Sequence, residues 1–161
     1  VLEVGCGTGS LALAAAQRVG AAGEVCGIDP APKMIELAQR KAAKKELKVD
    51  FRIGVIESLP YADHSFDIVR SSLMMHHLPD DLKSVGMAEI YRVLKPGGRL
   101  VIVELDSSRF SLINFIHGQR TSENRLALQL KHLMQAYKFG QVEIKNMRYG
   151  SLTFLMGTKA S

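Results

Sequence analysis

Three glycines at alternate positions follow the first apolar run of the chain, residues 1–4. Gly5, Gly7 and Gly9 stand between this predicted strand and a helix rich in Ala and Leu that is predicted over residues 10–19. Because glycine has no Cβ and tolerates positive φ, such a turn lets a ligand touch the main chain. The free N–H groups and the dipole of the helix N-terminus attract a carboxylate or a phosphate. These residues therefore predict a binding site for a small-molecule cofactor.

The glycine spacing and two nearby carboxylates narrow the choice of ligand. The dinucleotide fingerprint G-x-G-x-x-G requires its third glycine at Ser10, which is here the expected N-cap of the helix. Glu3 precedes the first glycine, and Asp29 ends the next predicted strand about twenty residues later, where it can accept hydrogen bonds from both ribose hydroxyls. Asp29 is also a candidate cap for the following helix, since Asp-Pro often begins one. The two acids favour an adenosyl ligand that carries an amino acid.

Six sequence motifs in a fixed order make the chain similar to a known family. They are E-x-G-x-G-x-G at residues 3–9, D-P-x-x-x-M-I at 29–35, E-S-L-P-Y at 57–61, F-D-I-V at 66–69, H-H-L at 76–78 and R-V-L-K-P-G-G-R-L at 92–100. In this order they resemble the class I S-adenosylmethionine-dependent methyltransferases, in particular the UbiE-like branch. The likeness is close from residue 1 to about residue 104 and looser beyond it.

The resemblance implies both a fold and an activity. The fold is α/β, a doubly wound Rossmann-like seven-stranded sheet, mostly parallel with an antiparallel C-terminal hairpin strand. The activity is in-line transfer of the methyl group of S-adenosylmethionine to a small-molecule acceptor, with S-adenosylhomocysteine as product. The alternative is a module that binds S-adenosylmethionine but is catalytically inactive or regulatory.

The resemblance also implies a set of residues that bind the cofactor. The glycines lie against its methionyl part, Glu3 orients its ammonium group and Asp29 holds its ribose. The complete predicted set is Glu3, Gly5, Cys6, Gly7, Gly9, Asp29, Pro30, Met34, Val55, Ile56 and Ser71. Within it, Pro30 and Met34 flank the adenine.

Two residues depart from the pattern of the family. Val55 stands where the family often has an acid that meets the adenine amino group, which leaves the backbone of Val55 and Ile56, or the side chain of Glu57, to pair with the ring. This departure is one reason for the alternative of an inactive module. Arg70 places a charge near the end of a strand predicted to be buried, so it is expected to reach solvent or the substrate entrance.

Adjacent histidines follow the fourth predicted strand, residues 66–70, and the loop after it. Their position places His76 and His77 at the carboxyl edge of the sheet, where open α/β folds bind ligands. A histidine near the transferred methyl group is a candidate general base for an oxygen or nitrogen nucleophile. The alternatives are a polar wall of the pocket and a helix cap before Pro79. No metal site is expected, because no cysteine or further histidine stands at zinc-like spacing.

Alternating elements extend over most of the sequence. Strands are predicted at residues 1–4, 24–28, 49–53, 66–70 and 99–104, and helices at 10–19, 31–45 and 80–94. A helix at 122–137 and a hairpin of strands at 141–147 and 151–158, joined at 148–150, follow. The turn at residues 95–98 is interpreted as structural. The segment 106–121 is predicted either to form a lid that shapes acceptor choice or to be a surface loop packed on the next helix.

Composition is consistent with one domain over residues 1–161. Hydrophobic residues make up 47% and charged residues 23% of the chain, which suits one sizeable core. No apolar run is long enough to span a membrane and no leader is apparent, so a cytoplasmic protein is expected. Cys6 and Cys26 have no disulfide-framework spacing. Because the sequence begins inside the first strand, we expect the domain to lack its N-terminal helical segment, and its oligomeric state is left open.

The positive charge of the chain raises the question of nucleic-acid binding. The formal net charge is +5, and many basic residues lie in and just after the helix at 31–45, where they complement its dipole and are expected to face water. A nucleic-acid groove usually interleaves basic and exposed aromatic side chains, and only 6% of this chain is aromatic. A small-molecule substrate is therefore favoured over a nucleic acid.

Overall fold

The computed structural model describes residues 1–105, 125–146 and 152–161. Within them the strands are β1 (Leu2–Val4), β2 (Cys26–Asp29), β3 (Asp50–Ile53), β4 (Phe66–Ser72), β5 (Leu94–Leu105), β6 (Phe139–Asn146) and β7 (Leu152–Lys159). The α-helices are α1 (Ser10–Val19), α2 (Pro32–Lys44), α3 (Asp80–Val93) and α4 (Arg125–Ala136), and short 3-10 helices lie at Gly20–Ala22 and Met75–His77. The predicted lid or loop at 106–121 and the hairpin turn at 148–150 lie outside the described residues.

The seven strands form one sheet in the order β3-β2-β1-β4-β5-β7-β6. Strands β1 to β5 are parallel, whereas β7 pairs antiparallel with both β5 and β6. The predicted fold class is thereby confirmed. The strand order reverses direction at β1, and ligands in open α/β sheets bind at such a switch point, outside the carboxyl ends of the strands. This topology places the loop after β1 at the ligand-binding edge.

Two local predictions differ from the structure. Gly9, not Ser10, is the N-cap of α1, with φ of 73° and no side-chain cap hydrogen bond, while Ser10 is the first helical residue. Strand β5 begins at Leu94 rather than residue 99, because Leu94 already pairs with Phe66 before the register shifts. Gly97, with φ of 74°, makes the predicted turn inside this strand. The remaining described elements start and end within a few residues of their predicted positions.

Apolar side chains fill two clusters, and the larger joins the centre of the sheet to α3 and α4. It includes Val69, Leu100, Ile102 and Leu155 of the sheet with Met87, Ile90, Leu130 and Met134 of the helices, all fully buried. The smaller cluster joins α1 and α2 to Phe51 of β3. Burial of this apolar surface stabilises the sheet and so fixes the strand ends that carry the site. Within the described parts of the chain, no helix has the length and apolar character that a bilayer crossing needs.

Arg92, in the last turn of α3, holds down the loop between β3 and β4. Its Nε and Nη2 donate to the carboxylate of Glu89 at 2.7 and 2.8 Å, and its Nη1 donates to Tyr61 O and Asp63 Oδ1, each at 2.8 Å. Nη2 also donates to Leu59 O at 3.0 Å. Hydrogen bonds to the two carboxylates raise the pKa of Arg92, so its charge is constant. The bonds fix the loop that forms one side of the site described below.

Removing this guanidinium is expected to weaken the fold measurably. Arg92→Met leaves carbonyl and carboxylate acceptors without their donor, and we expect the free energy of unfolding to fall by about 1–3 kcal/mol. Chemical denaturation measures the change. Lys95→Met is the matched control, because Lys95 pairs with the exposed Asp67 at 2.9 Å, and the expected change is about 0.5 kcal/mol or less. Equal losses in the two variants would contradict the role given to Arg92.

Candidate cofactor and acceptor site

The turn after β1 has the left-handed backbone that its glycines predict. Gly5, Gly7 and Gly9 have φ of 71°, 51° and 73°. Two main-chain bonds hold the turn, from Cys6 N to Ile28 O at 2.8 Å and from Gly9 N to Cys6 O at 2.9 Å. Side chains at these three positions would strain the backbone, so the turn depends on glycine.

The three glycines differ in what surrounds them. A Cβ placed on Gly5 would lie 2.5 Å from Cγ of Met74, and one on Gly9 would lie 2.6 Å from Cζ of Phe51. A Cβ on Gly7 would meet no atom within 4 Å. Packing therefore explains the missing side chain at Gly5 and Gly9. Gly7 alone faces open space, where a ligand can approach the main chain.

Asp29, at the end of β2, connects the glycine turn to the start of α2. Its Oδ2 accepts a hydrogen bond from Gly7 N and its Oδ1 accepts one from Ala31 N, both at 2.9 Å. Ala31 is the N-cap residue of α2, so Asp29 organises the helix start as the Asp-Pro pattern indicates. Each carboxylate oxygen has a second lone pair. Asp29 therefore retains the capacity to accept from ribose hydroxyls, which remains a prediction.

A cleft of about 360 Å³ opens at this edge of the sheet. Six of the predicted site residues line it: Gly5, Asp29, Pro30, Val55, Ile56 and His77. Its walls also contain Leu78, the last residue of the H-H-L motif, and Met74 and Leu82, which the sequence motifs did not indicate. Its volume lies in the range of small-molecule sites, and its walls combine apolar side chains with a few polar groups.

A larger hollow of about 540 Å³ lies at the other end of α1. Its lining includes Gly20, Glu46 and Lys48, and none of the predicted site residues belongs to it. It lies beside the C-terminus of α1, where main-chain N–H groups are already used within the helix. The glycine turn and the carboxylates make the smaller cleft the candidate site.

Glu3 lies beneath the first turn of α1 rather than in the wall of the cleft. It is 2% exposed, and its Oε2 is 3.3 Å from Nη2 of Arg70 on the neighbouring strand. Burial raises the pKa of Glu3, an effect that Arg70 and the N–H of Ala12 oppose. Arg70, expected to reach solvent or the substrate entrance, instead has a side chain that is 24% exposed and neutralises Glu3. The contact of Glu3 with an ammonium group remains a prediction.

Besides Glu3, five predicted cofactor residues lie away from the cleft lining: Gly7 and Gly9 of the turn, and Cys6, Met34 and Ser71. Met34 is 39% exposed in the first turn of α2. Ser71 is fully buried, and its Oγ has no hydrogen-bond partner within the described chain. Burial, followed by the nearby charges of Glu3 and Asp29, raises the pKa of the Cys6 thiol to about 12, so it stays protonated at neutral pH. Their assignment to the cofactor remains a prediction.

Lys41 reaches the glycine turn, contrary to the expectation that the basic residues of α2 face water. Its Nζ donates to Oγ1 of Thr8 at 2.6 Å and to Oγ of Ser10 at 3.4 Å. Lys41 stands three residues after the buried Ala38, at the border of the inward face of α2. The position of Lys41 in the helical repeat of α2 was the signal in the sequence that could have placed this side chain near the core-facing side of the helix.

The two histidines lie in the 3-10 helix Met75–His77 with their ring centroids 3.9 Å apart. His77 lines the cleft. Nδ1 of His76 lies 2.7 Å from Oε2 of Glu104, whose carboxylate is fully buried near the end of β5. The sequence motifs did not indicate Glu104, although an acid in the apolar run VIVEL was a signal. Among the described residues there is no group of three or more side chains able to hold a metal ion.

The methyltransferase domain family matches residues 1–98. Ubiquinone/menaquinone biosynthesis C-methyltransferase UbiE from Geotalea daltonii is 36% identical over 119 residues, which cover 73% of this chain and 50% of that protein. Demethylmenaquinone methyltransferase from Lactiplantibacillus plantarum is 42% identical over 106 residues, covering 65% and 44%. The chain thus spans about half or less of the length of these relatives.

Solved structures share the fold over nearly the whole chain. A SAM-dependent methyltransferase from Methanosarcina mazei has a TM-score of 0.77 at 24% identity, covering 99% of this chain and 91% of that one. At this identity the similarity concerns the fold. Taken with the family match, it makes the class clear: the chain belongs to the methyltransferase domain family. The predicted resemblance to UbiE-like S-adenosylmethionine-dependent methyltransferases is confirmed.

The different surroundings of two glycines predict different costs of adding a side chain. Gly9→Ala combines left-handed strain with a clash against Phe51 and Ala38, so we expect the free energy of unfolding to fall by about 2–4 kcal/mol. Gly7→Ala adds the strain alone, about 1–2 kcal/mol. Chemical denaturation of both variants measures the difference. If Gly7→Ala costs as much as Gly9→Ala, the space over Gly7 is not open.

Proposed function

We propose that the protein transfers the methyl group of S-adenosylmethionine to a small-molecule acceptor, and that the cleft beside the glycine turn binds this cofactor. The observation that carries the proposal is Gly7, whose left-handed backbone faces open space while its N–H is held by Asp29. A main chain exposed in this way, at the switch point of the sheet, fits a ligand that contacts backbone and carboxylate together.

The residues of the cleft suit the parts of this cofactor. In this proposal Asp29 accepts from the ribose hydroxyls, and Pro30, Val55 and Ile56, which line the cleft, provide apolar surface for the adenine. The main chain of Val55 and Ile56, or the carboxylate of Glu57, serves the ring edge where the family often has another acid. Glu3 is the candidate partner of the ammonium group. When bound, the sulfonium supplies an electrophilic methyl group, so the protein has to position the acceptor and exclude water.

We assign the acceptor to the quinones, because the relatives are named for menaquinone or ubiquinone methylation. Three large apolar side chains support the assignment: Leu11, Leu73 and Leu105 are 46%, 43% and 46% exposed. Leu73 follows β4 and Leu105 ends β5, while Leu11 lies in the first turn of α1, the helix after β1. Because β1, β4 and β5 are neighbouring strands, all three leucines belong to the carboxyl edge of the sheet. An apolar rim of this kind suits a flat ring with an apolar tail more than it suits a charged metabolite.

Two successive measurements test the proposed function. Calorimetry with S-adenosylhomocysteine tests the cofactor site, and transfer of a labelled methyl group to demethylmenaquinone, reduced to its hydroquinone, tests the acceptor. The proposal expects binding and transfer. No binding would overturn the cofactor site, whereas binding with no transfer to any acceptor would favour the inactive or regulatory module.

Loss of the Asp29 carboxylate is expected to weaken cofactor binding. Asp29→Ala removes the acceptor of the ribose hydroxyls and of Gly7 N, so the binding free energy for S-adenosylhomocysteine should weaken by about 1–3 kcal/mol and its Kd should rise accordingly. Calorimetry measures it. Asp50→Ala, at an exposed carboxylate on the neighbouring strand β3, is the control and should leave Kd unchanged. An unaltered Kd in Asp29→Ala removes Asp29 from the site.

Cofactor binding is also expected to depend on pH through Glu3. Burial raises the pKa of this carboxyl, so it takes up a proton at a pH where exposed glutamates are still charged. The protonated form cannot pair with the ammonium group, and affinity should therefore fall as the pH is lowered through that raised pKa. Calorimetry from neutral pH to about pH 5 measures the slope. Glu3→Gln should show weaker binding at neutral pH and a flatter profile; identical profiles in both proteins would exclude Glu3.

A further inference from the structure

Glu104 holds the ring of His76 from inside the sheet. The carboxylate is 0% exposed, and its Oε2 lies 2.7 Å from Nδ1 of His76. Its Oε1 accepts hydrogen bonds from Met75 N at 2.7 Å and from Met74 N at 3.2 Å. The same side chain therefore fixes both the short 3-10 helix and the orientation of one imidazole.

The bond to Glu104 determines which nitrogen of His76 carries the proton. A carboxylate accepts and does not donate, so Nδ1 is the donor, and in the neutral ring Nε2 has a free lone pair. The His76 side chain is one third exposed, so its ring is accessible from outside the core. Its ring centroid lies 3.9 Å from that of His77, which lines the cleft, and the two ring planes are tilted by 44°. A basic nitrogen thus lies beside the wall of the cofactor cleft.

We infer that Glu104 is a positioning residue that makes Nε2 of His76 the general base of methyl transfer. The inference rests on the proposed function and narrows its acceptor to molecules that lose a proton when methylated, such as a hydroquinone ring. Glu104 lies beyond residues 1–98, which match the family. It acts through the histidine, while His76 is the residue expected to meet the acceptor.

The proton and the electrons can be followed through the step. The acceptor hydroxyl gives its proton to Nε2 of His76. The electron pair delocalised from that oxygen forms the bond between ring carbon and methyl carbon, and the pair of the broken carbon–sulfur bond stays on sulfur. The ring carbon that received the methyl group then loses its hydrogen as a proton, the oxygen takes up a proton, and the ring becomes aromatic again. His76 releases the proton it accepted to water. One proton leaves for each methyl group gained.

A purely structural role would not require the contact with His76. Anchoring of the 3-10 helix uses Oε1 and the two main-chain N–H groups. The bond of Oε2 goes instead to Nδ1 of His76, whose side chain is one third exposed. Orientation of a histidine by a buried carboxylate is the arrangement in which the tautomer controls catalysis.

Glu104→Gln separates the two roles. The amide oxygen can continue to accept from Met74 and Met75, while the amide NH2 donates to Nδ1 and forces the ring proton to Nε2. We expect kcat for demethylmenaquinone in its hydroquinone form to fall about 10- to 100-fold. The Kd for S-adenosylhomocysteine should change less than about twofold, because the carboxylate lies outside the cofactor set. Long-range proton–nitrogen NMR should place the ring proton on Nδ1 in the wild type and on Nε2 in the variant.

Two further variants complete the test. His76→Gln should lower kcat by a similar factor and identify the NMR signal by its loss, and the double variant should lose no more than either single one. Glu143→Gln makes the same chemical change at an exposed position of β6, paired with Lys145, and should alter neither kcat nor the tautomer. If Glu104→Gln does not fold, the wild-type tautomer and the kcat of His76→Gln decide the question.

The outcomes distinguish this inference from the proposed function. Wild-type kcat in either variant, or a wild-type ring proton on Nε2, overturns the role of Glu104 while methyl transfer stands. Failure of the wild type to bind S-adenosylhomocysteine overturns the function itself. Binding without transfer to the hydroquinone shows that the acceptor is wrong, and the NMR comparison then decides the Glu104 contact alone.

Discussion

The hydrogen bond from Gly7 N to the Asp29 carboxylate, 2.9 Å long, is the interaction on which the site depends. It joins the turn after β1 to the end of β2, two strands held in register by pairing of Val4 with Ile28. The same carboxylate accepts from Ala31 and so sets the start of α2. One short polar side chain thereby holds the ends of two neighbouring elements while Gly7 remains uncovered. The cleft is a consequence of parallel pairing together with a left-handed backbone that favours glycine.

Two buried carboxylates at the carboxyl edge of the sheet are stabilised in a similar way. Glu3 is held by Arg70 and by the N–H of Ala12 in the first turn of α1. Glu104 is held by the N–H groups that lead into the 3-10 helix and by His76. In both cases main-chain donors at the start of a helical segment offset the loss of water around a buried acid. The surroundings differ in that Glu3 is paired with a cation and Glu104 with an ionisable ring. This difference is consistent with the two roles proposed above, an ammonium partner for Glu3 and a positioning residue for Glu104.

Much of the fold was predictable because alternation of strands and helices has a strong periodic signal. The glycine turn and Asp29 were also predictable. Glycine suits a left-handed backbone better than other residues do, and a short carboxylate side chain can accept hydrogen bonds from nearby main-chain N–H groups. The N-cap at Ser10 was wrong because a left-handed Gly9 ends the turn one residue earlier. The helix phase of Lys41 and the acid in the run VIVEL marked Lys41 and Glu104 as unusual, but the partners of Arg70, Lys41 and Glu104 were not predictable, because each partner is distant in sequence and is brought near only by strand register or helix packing.

The division of the site between strands explains why the cofactor was easier to infer than the acceptor. Asp29 and the glycine turn belong to loops after β1 and β2, within the residues that match the family. His76 and the exposed leucines Leu73 and Leu105 belong to the ends of β4 and β5. A cofactor that never changes constrains residue types tightly, whereas an acceptor site requires only a suitable surface and a base. Since β4 and β5 are adjacent and β5 continues past the family match, the proposed sites separate in the chain: variation at the end of β5 would alter the proposed acceptor side and leave the glycine turn, proposed to bind the cofactor, unchanged.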